Sequence, residues 1–167
     1  MSSPPAEGDE VDELVDAWRR ERPDVDSAPM QMWSRITRLS QVLDATRARA
    51  YAAQQLQGWE FDVLAALRRA GAPYRLSPGQ LVALTHVTSG TMTNRVDRLA
   101  ERGLVIRRAN PADGRGVLVE LGVEGRLRVD AALTDLVSAE QSLSAALSAQ
   151  ERAALTSLLR TLMRTQA

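Results

Sequence analysis

The run Ser77-Pro78-Gly79-Gln80-Leu81-Val82-Ala83-Leu84-Thr85-His86-Val87-Thr88-Ser89-Gly90-Thr91-Met92-Thr93-Asn94-Arg95-Val96-Asp97-Arg98-Leu99-Ala100-Glu101-Arg102-Gly103 decides the reading of this 167-residue chain. Ser77-Pro78 supplies a helix N-cap followed by proline at the first helical position, so a short helix opens there and carries Leu81 and Leu84. Thr88-Ser89-Gly90-Thr91 reads as a tight turn into a second helix, about Ser89 to Arg102, whose buried face holds Val96 and Leu99 and which Gly103 stops. Two short helices joined by a tight turn match a helix-turn-helix.

The continuation Leu104-Val105-Ile106-Arg107-Arg108 is a β-branched strand segment, Asn110 to Gly116 is dense in turn formers, and Val117-Leu118-Val119-Glu120-Leu121 is a second strand. A hairpin placed directly after a helix-turn-helix makes it winged. The fold class read from the sequence is therefore mainly α with a small β-hairpin wing.

Working outward, Val11, Leu14, Val15 and Trp18 fall at i, i+3, i+4 and i+7, the spacing of one helical face, and Pro23 ends that helix. Met32, Ile36, Leu39, Leu43, Thr46 and Ala50 mark a long second helix, free of Gly and Pro until Gly58. A third runs from Trp59 to about Ala70, closed by Gly71 and Pro73. Near the far end Leu155, Leu158, Leu159, Leu162 and Met163 restore helical spacing. The Pro, Ser and Gly of residues 1–8 read as a disordered start.

Formal net charge is zero, with 21 basic and 21 acidic residues, but the charge is not evenly spread. Residues 1–26 carry net −6, residues 27–87 net +4, residues 88–128 net +3 and residues 129–167 net −1. The balance therefore does not speak against nucleic acid. Every basic residue is Arg, so each cationic contact comes from a planar guanidinium able to bond bidentately.

Composition also excludes chemistry. No cysteine means no disulfide, thiolate nucleophile or zinc-thiolate site, and the single His86 argues against a metal centre built on imidazole. There is no glycine-rich phosphate loop and no nucleophile elbow, so catalysis is not expected, nor a cofactor. The apolar runs fall short of the roughly 20 residues of a membrane span, and the expectation is a cytoplasmic protein without a membrane partner.

A recognition helix wants short polar side chains toward its N-terminal end and apolar ones behind. Ser89, Thr91, Thr93, Asn94, Arg95 and Arg98 stand against Val96 and Leu99. Arg can bond guanine bidentately, Asn adenine, and Thr can touch a thymine methyl. At the hairpin tip Arg115 sits between Gly114 and Gly116, with Asp113 placed to pin its fork. Each residue alone could equally be an ordinary surface charge; the constellation is more specific than its parts.

Residues 77–121 resemble the winged helix-turn-helix of MarR-family transcriptional regulators, including the wing's Asp113-x-Arg115. The resemblance implies a homodimer that binds a palindromic promoter site in double-stranded DNA. Residues 9–167 would then form one such domain, with 59–121 as its DNA-binding part and helices in 30–57 and 122–167 as dimerisation elements. The helix at 9–23 is an addition. With residues 16–24 and 60–74, it is similar to the PecS-like, urate-responsive branch of the family. That likeness implies an effector site at Trp18, Asp62, Arg69 and Arg95, departing from the branch at Ala70, where some members carry Asn.

Geometry is compatible with a small site there. Asp62 and Arg69 are seven residues apart, so they lie ~20° apart around a helix and roughly 10.5 Å along it. Ala65 and Ala66 between them would leave room for a planar molecule. A carboxylate, a guanidinium and an indole suit an acidic heteroaromatic such as urate or a related purine. An ion pair between Asp62 and Arg95 could hold the DNA-reading geometry until a ligand competes for it. The alternatives are a regulator answering another anionic ligand, an aromatic carboxylate or tricarboxylate, or a winged helix used for protein contact. Repression, rather than activation, follows from the family.

Overall fold

Asp9 opens the first helix by accepting the Val11 and Asp12 amides, while the Asp12 carboxylate accepts the Asp9 N–H in return. This computed structural model of the chain describes residues 8–110 and 116–164. Helix α1 (Glu10–Glu21) has acids in its first turn and Arg19 and Arg20 in its last, the arrangement that complements the helix dipole. Val11 and Val15 are buried, whereas Trp18 of the same apolar stripe is 46% exposed. Helix α2 (Met30–Ala53) follows, shorter at its C-terminal end than the segment read to residue 57.

The chain divides after Ala45 into two compact units, with α2 running across the division. In the first, Arg35 of α2 pairs with both capping carboxylates of α1, at 2.9 Å from Asp9 and 2.9 Å from Asp12.

The second unit holds the remaining elements. Helix α3 (Gly58–Arg69) ends at Gly71, whose φ of +76° is left-handed. Next come strand β1 (Arg75–Leu76), helix α4 (Pro78–Thr85), helix α5 (Ser89–Glu101), strands β2 (Val105–Ala109) and β3 (Val117–Leu121), helix α6 (Val123–Leu143) and helix α7 (Ala149–Arg164). The three strands are antiparallel in the order β1-β3-β2, with Arg75 opposite Glu120 and Arg107 opposite Val119. The expected hairpin is thus a three-stranded sheet. Two residues are too few to show a strand's alternation, so β1 carried no sequence signal.

The core collects Leu64 and Leu67 of α3, Leu81 of α4, Met92 and Leu99 of α5, and Val119 of β3, all fully buried. Gly125 explains how α6 fits against this body: a Cβ there would lie 2.1 Å from the Leu104 carbonyl oxygen, so the helix passes where only glycine can.

Candidate nucleic-acid interface and effector site

The capping residues set the geometry of the two central helices. Ser77 and Gln80 form a reciprocal capping box at the start of α4. The turn that follows is residues 86–88, not 88–91. His86 adopts a left-handed conformation with φ of 53°, and Thr88 is the N-cap of α5, its hydroxyl accepting the Thr91 amide. Ser89, Gly90 and Thr91 therefore belong to the first turn of the helix.

On α5 the apolar and polar faces separate cleanly. Met92, Val96 and Leu99 are buried at 0%, 2% and 0% exposure, so the helix cannot rotate about its axis without emptying the core. Ser89, Thr91, Thr93 and Asn94 are exposed on the N-terminal half. Arg98 is exposed and Arg95 half-buried. Both guanidiniums lie over the Trp59 ring, with their carbons 5.2 Å and 5.5 Å from its centroid. Arg98 does not pair with Asp97, whose carboxylate pairs instead with Arg107 of β2 and so ties the helix to the wing. Asp113 and Arg115 lie outside the described residues.

The proposed effector positions fall on both units. Trp18 lines a cavity of about 120 Å³ with Arg22, Val25, Ser27 and Met30, all in the first unit. Asp62 and Arg69 stand exposed on α3. The open space expected between them is absent: Ala65 and Ala66 are 8% and 1% exposed and belong to the core, because the α3 face that carries them is the packing face. Desolvation raises the Asp62 carboxyl above the ordinary aspartate range, against the pull of Arg95, Arg69 and Arg47. Arg95 thus attracts Asp62 through space, without the direct ion pair expected from the sequence.

Several residues around this cluster carried no motif. Arg47 of α2 bonds Glu140 of α6 at 3.2 Å, Tyr51 stacks on Phe61 at 4.3 Å between centroids, and Glu60 pairs with Arg102. They were not legible because Arg47–Glu140 and Glu60–Arg102 join distant parts of the chain and Tyr51 meets Phe61 only where α2 turns into α3. Among the described residues no group of His, Asp or Glu has the disposition of a metal site, and no helix is long and apolar enough to cross a membrane.

Two helices joined by the turn at 86–88 and followed by an antiparallel wing define a winged helix-turn-helix, a DNA-reading class of fold. The family model for the MarR family matches residues 54–116. The HTH-type transcriptional regulator PecS of Dickeya dadantii is 35% identical over 150 residues, which is 90% of each chain. A mutant Escherichia coli MarR solved in complex with operator DNA superposes with a TM-score of 0.66 at 27% identity, covering 87% of this chain and 96% of that one. YusO of Bacillus subtilis shares the fold, with a TM-score of 0.65 at 18% identity over 93% of this chain and 99% of its own. The chain belongs to the MarR family of winged-helix transcriptional regulators, which are transcription factors and not enzymes.

Proposed function

We propose that the protein is a homodimeric, sequence-specific DNA-binding regulator of the cytoplasm. In this reading it represses transcription from a palindromic promoter site until a small acidic ligand, urate or a related purine, releases it. The observation that carries the DNA reading is the exposed polar N-terminal half of α5, Ser89 to Asn94, on a helix locked by Met92, Val96 and Leu99. Asn94 reads adenine and Arg98 guanine or phosphate; Arg115 of the wing adds a backbone contact, with Asp113 pinning its fork.

Dimerisation is supported by apolar side chains left at the surface. Leu127, Leu133 and Val137 of α6 and Leu155, Leu158 and Met163 of α7 are exposed by 43% to 74%, more than a monomer ordinarily leaves on two helices. Two-fold dimers of this kind engage half-sites ~34–36 Å apart.

The effector reading rests on the meeting of charge at Asp62, where Arg95 of the DNA-reading helix and Arg69 of α3 both act on one carboxylate. A ligand taking either partner shifts the helix by its differential affinity for the two arrangements. Trp18 of α1 enters this reading only through the resemblance to the urate-responsive branch, and its own cavity is lined by Arg22, Val25, Ser27 and Met30.

Binding to a promoter duplex as a function of salt tests the DNA reading. Phosphate contacts give a steep negative slope of log K against log salt, and a flat slope favours protein contact. Titrating urate into the complex tests the ligand: persistence of the complex at millimolar urate removes it. A thermal-shift panel of purines, aromatic carboxylates and tricarboxylates then separates the alternatives.

A further inference from the structure

Arg95, Arg98 and Arg102 recur at i, i+3 and i+7 and so line one flank of α5. The first turn of α3 engages all three. Trp59 takes Arg95 and Arg98 at 5.5 Å and 5.2 Å from its ring centroid, and Glu60 takes Arg102 at 2.5 Å. Among the described residues neither Arg95 nor Arg98 has a carboxylate within ion-pair distance, so the indole is what orders them. The ring is itself held. Trp59 is half-buried against the core, and its N–H donates to Gln57 Oε1 at 2.5 Å, where Gln57 is the N-cap of α3.

A guanidinium over an aromatic ring engages through its face, which leaves the N–H edge free to donate to phosphate or guanine. Ordering a long side chain before binding removes part of the entropy lost on contact. Arg95 is also the cation that Asp62 attracts, so the ring and that carboxylate act on the same side chain.

We propose that Trp59 is a positioning residue for DNA recognition: its indole pre-orders Arg95 and Arg98 beside the groove-facing surface around Asn94 and thereby sets specificity. The inference rests on the DNA-binding reading, and the experiment separates the two. A duplex is selected from a random library by the wild-type protein, and affinities for it and for an unrelated duplex are measured by fluorescence polarisation at fixed salt. Trp59→Leu is expected to weaken the selected duplex about tenfold and to change the unrelated one little, with Trp59→Phe restoring most of the loss. In a double-mutant cycle with Arg98→Ala the losses are expected to be non-additive. Additive losses, or a Trp59→Leu variant that binds as the wild type does, overturn the proposal.

A spectroscopic arm does not depend on DNA or on the stability of Trp59→Leu. With Trp18 and Trp33 replaced by Phe, the emission of Trp59 is expected to change in Arg95→Met/Arg98→Met. Unchanged emission with DNA selection intact sinks the positioning role alone. A wild-type protein that selects no duplex sinks the DNA reading and this proposal with it.

Discussion

The Glu60 carboxylate, 3% exposed, accepts from the Arg102 guanidinium at 2.5 Å while the same guanidinium donates to the Gln55 carbonyl at 2.7 Å. Arg102 caps the C-terminal end of α5. Helix α5 is therefore fastened to the start of α3 at its end as well as along its flank.

Breaking that fastening should be costly, because the Arg102 guanidinium would lose its carboxylate partner. Glu60 also accepts the Gln57 amide, so Glu60→Ala removes a cap together with the pair. Arg102 is 36% exposed and can return to water, which moderates the loss to about 1–2 kcal/mol. Urea denaturation reads it directly; an unshifted midpoint contradicts the assignment.

Gly125→Ala should be far worse. Its added methyl would meet the Leu104 carbonyl oxygen at 2.1 Å and the carbonyl carbon at 3.0 Å, both backbone atoms that no rotamer change can move. A loss above about 4 kcal/mol follows, enough to unfold a marginal domain. Circular dichroism melts of the purified variant check it, and a shift of only a few degrees would show that α6 can slide.

The contrast between Gly125 and the rest of α6 shows what was legible in the sequence. Apolar periodicity gave α1, α2 and α7, and the caps at Ser77 and Gly103 placed the central pair, because these are local signals; α6 was expected only from the family resemblance. The turn was misplaced since Gly90 reads as a breaker, yet it sits inside α5, and the left-handed residue is His86, which has no turn signature of its own. The flank formed by Arg95, Arg98 and Arg102 was written in the sequence as a spacing. That its partners are Trp59 and Glu60 depends on how α3 approaches α5, about 40 residues away in the chain.

Glu120 gives a pH-dependent test. The Arg108 hydrogen bond, then that of Arg75, holds its carboxyl below the usual glutamate range despite partial burial. A depressed folded value means stability that is present above the ordinary glutamate value of ~4.3 and is lost as pH falls through the folded one. Glu120→Gln is expected to cost about 1 kcal/mol at pH 7, since both arginines are partly solvated. The difference from wild type should narrow as pH falls below the ordinary value of ~4.3 and close once pH is below the depressed folded one. A pH-independent difference would assign the loss to packing.

The exposed stripe of α7 bears on assembly. Leu158 is 64% and Leu155 44% exposed. If these faces pair two chains, Leu158→Asp places an uncompensated charge in an apolar interface and should weaken the dimer by about 100-fold. Sedimentation equilibrium is the measurement. A variant as dimeric as the parent removes α7 from the interface.

Asp62 carries the opposite sign from Glu120. Desolvation outweighs Arg95, Arg69 and Arg47 and raises its carboxyl, so folding favours the protonated form. Its contribution to stability then declines as pH rises from the ordinary aspartate value of ~3.9 through the raised folded one. Asp62→Asn should consequently be neutral or slightly stabilising at pH 7, by no more than about 0.5 kcal/mol for a solvent-screened group. The same variant should lose a urate-induced rise in Tm, because the amide no longer offers a charged acceptor or a competitor for Arg95. Destabilisation at neutral pH would contradict the electrostatic account. A urate response equal to that of the wild type would remove Asp62 from the effector site, whatever the stability curve showed.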